Sequence, residues 1–351
     1  MSKVIGYVGT YTKKDSKGVY QFTLDTEKKE ISNVKLAAEL SNPTYITVSD
    51  DNKNLYAVSK DGENGGVTAF SINSETGELT KLNSQTSAGA PPCHVSVNQS
   101  NNNVLTANYH TTKISSYLTN EDGSLNPATS VIEHEGSGPH DRQEKPHMHF
   151  AGFTPDEKYA IAIDLGSDCV ITYNINEGQL KIAQVYKTRP GSGPRHITFH
   201  PNKKFAYIMT ELSSEVVALH YDEKDGSFSK QQSISTIPED FEETNDGSAI
   251  HITSDGQYVY AGNRGHNSIS LFKVDQDTGE LTFKERTSTE GNWPRDFVLD
   301  PSEEFLVATN ERSNTMTLFS RDKSTGKLAF VQSGVKVPEP VCVKFLNESL
   351  L

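Results

Sequence analysis

The chain has 351 residues, with 33 Lys or Arg against 46 Asp or Glu and a formal charge of -13. That balance argues against a nucleic-acid surface, and no apolar run reaches the roughly 18–20 residues a membrane helix needs. Cys93, Cys169 and Cys342 are widely spaced with no paired-Cys spacing, so they support no zinc site or disulfide framework and fit a reducing cytosol.

The N-terminus, MSKVIGYVGTYT, lacks the apolar core and cleavage site of a signal peptide, so a cytoplasmic location is expected. Three β-rich runs follow one another there: VIGYVG, GVYQFTL and ISNVKLAAEL. From Pro43 a pattern repeats without gaps over 18 residues: a short alternating strand, a polar turn and an apolar strand. Copies begin at Pro43, Pro92, Met148, Pro194, Gly247 and Pro294. Each continues into a third strand and a glycine turn leading to a fourth, with the turns at Gly77, Gly123, Gly178, Gly226, Gly279 and Gly326. Four short strands in about 45–55 residues are one propeller blade.

A seventh copy starts at Pro340 with PVCVKF and runs into the C-terminus. It supplies the one strand that the three N-terminal strands lack. The expectation is therefore an all-β, seven-bladed β-propeller of four-stranded blades. The C-terminal strand pairs with the N-terminal three to close the ring, as a single domain over residues 1–351. Two stretches break the period. Residues 131–145 and the acidic residues 237–246 both precede a first strand, so both should emerge on one face as walls of a site or as tolerated insertions.

In such a ring the residue opening each first strand and the residue after each second strand face one mouth of the central channel. The first set is Thr44, Cys93, His149, Arg195, Ser248, Arg295 and Val341. The second is Lys60, Tyr109, Leu165, Glu211, Arg264 and Glu311, with Thr10 approximately aligned. Consecutive blades thus bring His149, Arg195, Glu211 and Arg264 together. Arginine forks bind phosphate or carboxylate, and imidazole serves as a base near neutrality. The same four groups could instead be a structural charge network. Arg295 and Glu311, in one blade, look like such a pair. His147 and Arg142 stand just ahead of His149, in RQEKPHMH, and are candidates for the mouth. A metal site on His147 and His149 lacks a third ligand at any obvious spacing, so no metal is expected. His196, next to Arg195, should alternate away from the channel into blade packing.

At these residues the chain resembles the seven-bladed propeller lactonases, the family of the propeller-type 6-phosphogluconolactonases and the carboxymuconate-lactonizing enzyme. The likeness runs through GTYT (Gly9 to Thr12), RQEKPHMH (Arg142 to His149), DLGSD (Asp164 to Asp168), GPRH (Gly193 to His196), TELSS (Thr210 to Ser214), SDGQYVYAGNRGHNSI (Ser254 to Ile269) and WPRDF (Trp293 to Phe297). Where the family often has Asn before its glutamate, this chain has Thr210. The resemblance implies a catalytic set of His149, Arg195, Glu211 and Arg264. It also implies hydrolysis of 6-phospho-D-glucono-1,5-lactone, with no cofactor. His149, or else Glu211, would be the base, one arginine would stabilise the oxyanion, and the other would hold the phosphate with help from Arg295 or His147. Arg142 completes the substrate-binding set. The implied partner is a small anionic sugar lactone, and oligomeric state is not legible. Two other readings stay open: a lactonase or cycloisomerase for a carboxylated lactone, and a non-catalytic binding platform.

Overall fold

The computed structural model describes residues 3–347. Among these residues there is no helix, and the strands form seven four-stranded antiparallel sheets. Blade 1 runs from Ile46 to Ala88, blade 2 from His94 to Glu133, blade 3 from Met148 to Lys187 and blade 4 from Pro194 to Ser235. Blade 5 runs from Asp246 to Ser288 and blade 6 from Pro294 to Lys336. In blade 7 the strand Pro340–Phe345 pairs antiparallel with Lys3–Thr10, which continues into Gly18–Asp25 and Glu30–Glu39. This is the closure expected from the sequence. The first strands touch their neighbours all the way round, blade 7 against blade 1 included.

The stability of the ring lies between blades. Seven buried apolar clusters each straddle one blade–blade interface, for instance Phe205, Tyr207, Val259 and Phe272 between blades 4 and 5. Full burial of each such side chain contributes about 1.5–3 kcal/mol. A polar clip adds to this. A second-strand tyrosine of one blade donates its hydroxyl to the turn-glycine carbonyl of the next: Tyr7 to Gly77 at 2.6 Å, Tyr56 to Gly123 at 3.0 Å and Tyr207 to Gly279 at 2.9 Å. Gly279 has φ 75°, and a Cβ there would lie 2.5 Å from the Phe205 ring, so both backbone and packing require glycine.

The alternation of inward and outward residues breaks at the mouth. In blade 3, Met148 pairs with Asp164 and Phe150 with Ile163, leaving His149 as an extra residue. Arg195 is the extra residue between Pro194 and His196 in blade 4, and Arg295 between Pro294 and Asp296 in blade 6. A bulge of this kind re-aims a side chain and lets the next residue face the same side. His196 therefore does not alternate into blade packing. It lies against His94, His149, Tyr45 and Phe150, with ring centroids 5.2–5.9 Å away. These rings, from blades 1 to 4, plug the channel beneath the mouth. Below blade 6's bulge, the Asp296 carboxylate lies 3.7 Å from Lys344 and 3.9 Å from His251. Burial opposes its ionisation, but Lys344 and His251 outweigh that and hold it down at about 2.

Candidate active site

Antiparallel pairing of Pro194 with Thr210 puts Arg195 and Glu211 at the same end of one hairpin, and the Glu211 amide donates to the Gly193 carbonyl at 2.7 Å. Thr210 closes the turn that follows, its hydroxyl accepting from the Glu215 amide and donating to the Glu215 carbonyl, both at 2.9 Å. Glu211 is the hub. Arg195 Nε reaches Oε2 at 3.1 Å, Arg264 Nη2 reaches it at 2.7 Å, and Arg142 Nη2 bonds Oε1. His149 Nε2 stands 3.9 Å from Oε2. Arg195 and Arg264 are further tied to the carbonyls of Ser248 and Gly247, each at 2.7 Å.

All four groups of the sequence-derived cluster meet at the floor of one cavity of about 440 Å³ at the channel mouth, and Arg142 and Arg295 line it too. Arg142 arrives on the link 131–145, which folds across the mouth and is held there by Glu211 and, at 3.0 Å, by Asp246 of blade 5. Arg295 Nη1 lies 3.6 Å from Glu311, the pair expected from their shared blade. His147 is buried and turned away from the cavity. Its Nδ1 bonds the Tyr109 carbonyl at 2.9 Å, its Nε2 lies 3.1 Å from Glu144, and its ring stacks on Tyr109, which is itself a cavity wall. Its contact with the cavity is indirect, through the Tyr109 ring it packs against. Among the described residues no group of three or more His, Cys, Asp and Glu side chains is placed to hold a metal ion.

Burial sets the charge states. It would raise the Glu211 pKa, but the guanidiniums of Arg264, Arg195 and Arg142 outweigh it and keep the carboxyl well below its usual range. Burial depresses His149, and Arg195 adds to the effect, so its imidazole is neutral at neutral pH. Its Nδ1 is buried without a hydrogen-bond partner. Burial and the neighbouring Arg264 lower Arg195 to about 10, which leaves it charged at pH 7. Cys93, at the cavity edge, is pushed up to about 11 by burial and is no thiolate nucleophile. The result is a neutral base beside fixed cations. The cavity carries six cationic side chains against the single carboxylate of Glu211, although the chain as a whole is acidic.

The family model described as "Lactonase, 7-bladed beta-propeller" matches residues 5–345. The chain belongs to this lactonase family. A 6-phosphogluconolactonase of Bacillus subtilis is 55% identical to this lactonase-family chain over 348 residues, spanning 99% of the chain and 100% of the relative. A solved protein from Lactobacillus plantarum superposes with a TM-score of 0.95 at 40% identity, covering 98% of this chain and 99% of that one. The periplasmic gluconolactonase of Pseudomonas aeruginosa superposes at 0.93 with 31% identity and the same coverage.

Sequence periodicity did not point to Tyr11, Lys13 and Asn42, which also line this lactonase's cavity. Tyr11 and Lys13 lie just beyond the strand Lys3–Thr10, and Asn42 lies one residue before the Pro43 copy. The only signal was the GTYT stretch, whose alignment to the repeat reached Thr10 and stopped.

Proposed function

We propose that this chain hydrolyses 6-phospho-D-glucono-1,5-lactone to 6-phosphogluconate, the second step of the oxidative pentose phosphate route. One observation carries the reading: a neutral imidazole and two anchored guanidiniums share the floor of a cavity whose charge is cationic. Such a site suits an anionic ester with a reactive carbonyl. His149 takes a proton from water as its oxygen bonds to the lactone carbonyl carbon. Arg195 stabilises the oxyanion, its own position fixed by Glu211 and the Ser248 carbonyl. Collapse of the tetrahedral adduct breaks the bond to the ring oxygen, which receives the proton from His149. The acid product then ionises, and His149 is neutral again. Glu211 fits the role of base poorly, because three guanidiniums already hold its oxygens and keep it a weak acceptor. Its role in this reading is to position Arg195 and Arg264.

The test measures 6-phosphogluconate formation against the spontaneous rate, with the unphosphorylated lactone and a carboxylated lactone alongside. Wild-type turnover of the phosphorylated lactone above the blank, lost in His149→Ala, is the expected result. A wild-type rate equal to the blank removes the assignment, and preference for the carboxylated lactone replaces it with the muconate-type reaction. The cytosol, where the three free thiols stay reduced, is the compartment this reading assigns.

A further inference from the structure

Each guanidinium of the cavity already faces a carboxylate. Arg142, Arg195 and Arg264 share the Glu211 carboxylate, and Arg295 faces Glu311. Two cavity cations have no carboxylate partner among the described residues, Lys13 and Lys60. Both belong to one wall. Lys13 follows the first N-terminal strand of blade 7, and Lys60 lies near the end of the second strand of blade 1. In a ring of seven, the junction of blades 7 and 1 is diametrically opposite blade 4, which carries Arg195 and Glu211.

Each lysine stands on fixed backbone. The Lys60 amide donates to the Ser41 carbonyl at 2.9 Å, and next to Lys13 the Lys14 amide donates to a Glu339 carboxylate oxygen at 2.9 Å. Lys13 Nζ lies 3.8 Å from the centre of the Tyr11 ring. Between the lysines is Asn42. Its Oδ1 accepts from the Thr12 amide at 3.2 Å and from the Thr12 hydroxyl at 3.3 Å, which fixes Nδ2 as the end free to donate.

We infer that Lys13, Lys60 and the Asn42 amide form a phosphate subsite that selects phosphorylated over unphosphorylated lactones. Unpaired ammonium groups beside an amide donor suit a phosphate dianion, whereas the arginines opposite are committed to organising the reacting carbonyl. A 6-phosphorylated 1,5-lactone carries its carbonyl and its phosphate on opposite sides of the ring oxygen. It can therefore place C1 over His149 and Arg195 while the phosphate reaches the lysine wall. This subsite rests on the lactone-hydrolase reading above only for which sugar fills it.

The experiment compares wild type with Lys60→Met, Lys13→Met and the double variant. It measures the ratio of kcat/KM for 6-phosphoglucono-1,5-lactone to kcat/KM for glucono-1,5-lactone. A charge-assisted hydrogen bond to phosphate is worth about tenfold or more, so each single variant lowers the ratio by about that factor, chiefly through KM, and Lys60→Arg restores most of it. An unchanged ratio in the double variant overturns the inference. Should the wild type hydrolyse neither lactone, the hydrolase reading fails by itself and calorimetric titration decides the subsite. Tighter binding of 6-phosphogluconate than of gluconate, lost in the double variant, supports it. Equal binding of the two acids refutes it.

Discussion

Replacing Glu211 by glutamine keeps the shape of the side chain and removes the one negative charge around which Arg195, Arg264 and Arg142 are arranged. Glu211 and the first two arginines are buried, whereas the Arg142 side chain is 42% exposed, so the contribution of Arg142 is largely screened. Breaking a buried ion cluster by removing one partner costs about 3–5 kcal/mol. With an unfolding entropy of about 2.1 cal/mol/K per residue over 351 residues, that cost lowers the melting temperature by roughly 4–7 °C. The sign with pH follows from the depressed carboxyl. Its stabilisation is complete above its unfolded value of 4.5 and fades as pH falls through the lower folded value. Wild type and Glu211→Gln should therefore differ fully at pH 7 and converge in acid below pH 4.5. The same variant should lose about a hundredfold in kcat, because Arg195 and Arg264 are no longer held over the reacting carbonyl. Melting curves from pH 7 down to pH 3, with lactone turnover at pH 7, provide the check. A variant that melts with the wild type at pH 7 and keeps its kcat refutes Glu211 as the organising charge.

His149→Ala should lower kcat by about 10²–10⁴-fold with a small change in KM. Because His149 titrates well below 6.5, wild-type kcat/KM for unphosphorylated glucono-1,5-lactone, which carries no titrating phosphate, should stay level as pH falls past 6.5 and drop only in more acidic buffer; a drop centred at 6.5 would contradict the buried neutral imidazole. Arg195→Lys should not rescue function, because one ammonium cannot span both Glu211 and the Ser248 carbonyl; a loss of about 10–100-fold in kcat is expected, and near-normal turnover would argue against the anchored fork. Gly279→Ala should destabilise the ring by about 1–3 kcal/mol without altering the KM of the folded enzyme, as read by urea unfolding and kinetics at low temperature.

The ring and its closure could be read from the sequence because each blade repeats its turn glycine and its alternating strand at fixed offsets. Repetition also aligned Glu211 and Arg264 with each other, since each sits at the end of the second strand of its own blade. Position in the period ceased to inform wherever a bulge or an unrepeated link took over. His149, Arg195 and Arg295 are extra residues in their strands, so the rule of alternation that sent His196 outward does not hold beside them. Arg142 has no counterpart in other blades, and its ion pair with Glu211 depends on how a single long link crosses the mouth. His147 shares a motif with His149, yet its ring packs behind Tyr109, because the strand begins between them. Lys13 and Asn42 lie in the junction of blades 7 and 1, where the chain departs from the repeat it follows elsewhere.

The joining of the two chain ends in blade 7 also has a consequence during synthesis. The Tyr11 amide and the residues beside Lys13 are tied to Glu339, at the threshold of the strand Pro340–Phe345 that closes the ring. A growing chain can assemble the wedges that carry His149 and Glu211 while one side of the vestibule is still missing. A phosphorylated metabolite that needs both sides binds only the finished circle and stabilises it by mass action, according to RT ln(1 + [L]/Kd). On the phosphate subsite proposed above, such a ligand would act as a fastener across the seam of the ring.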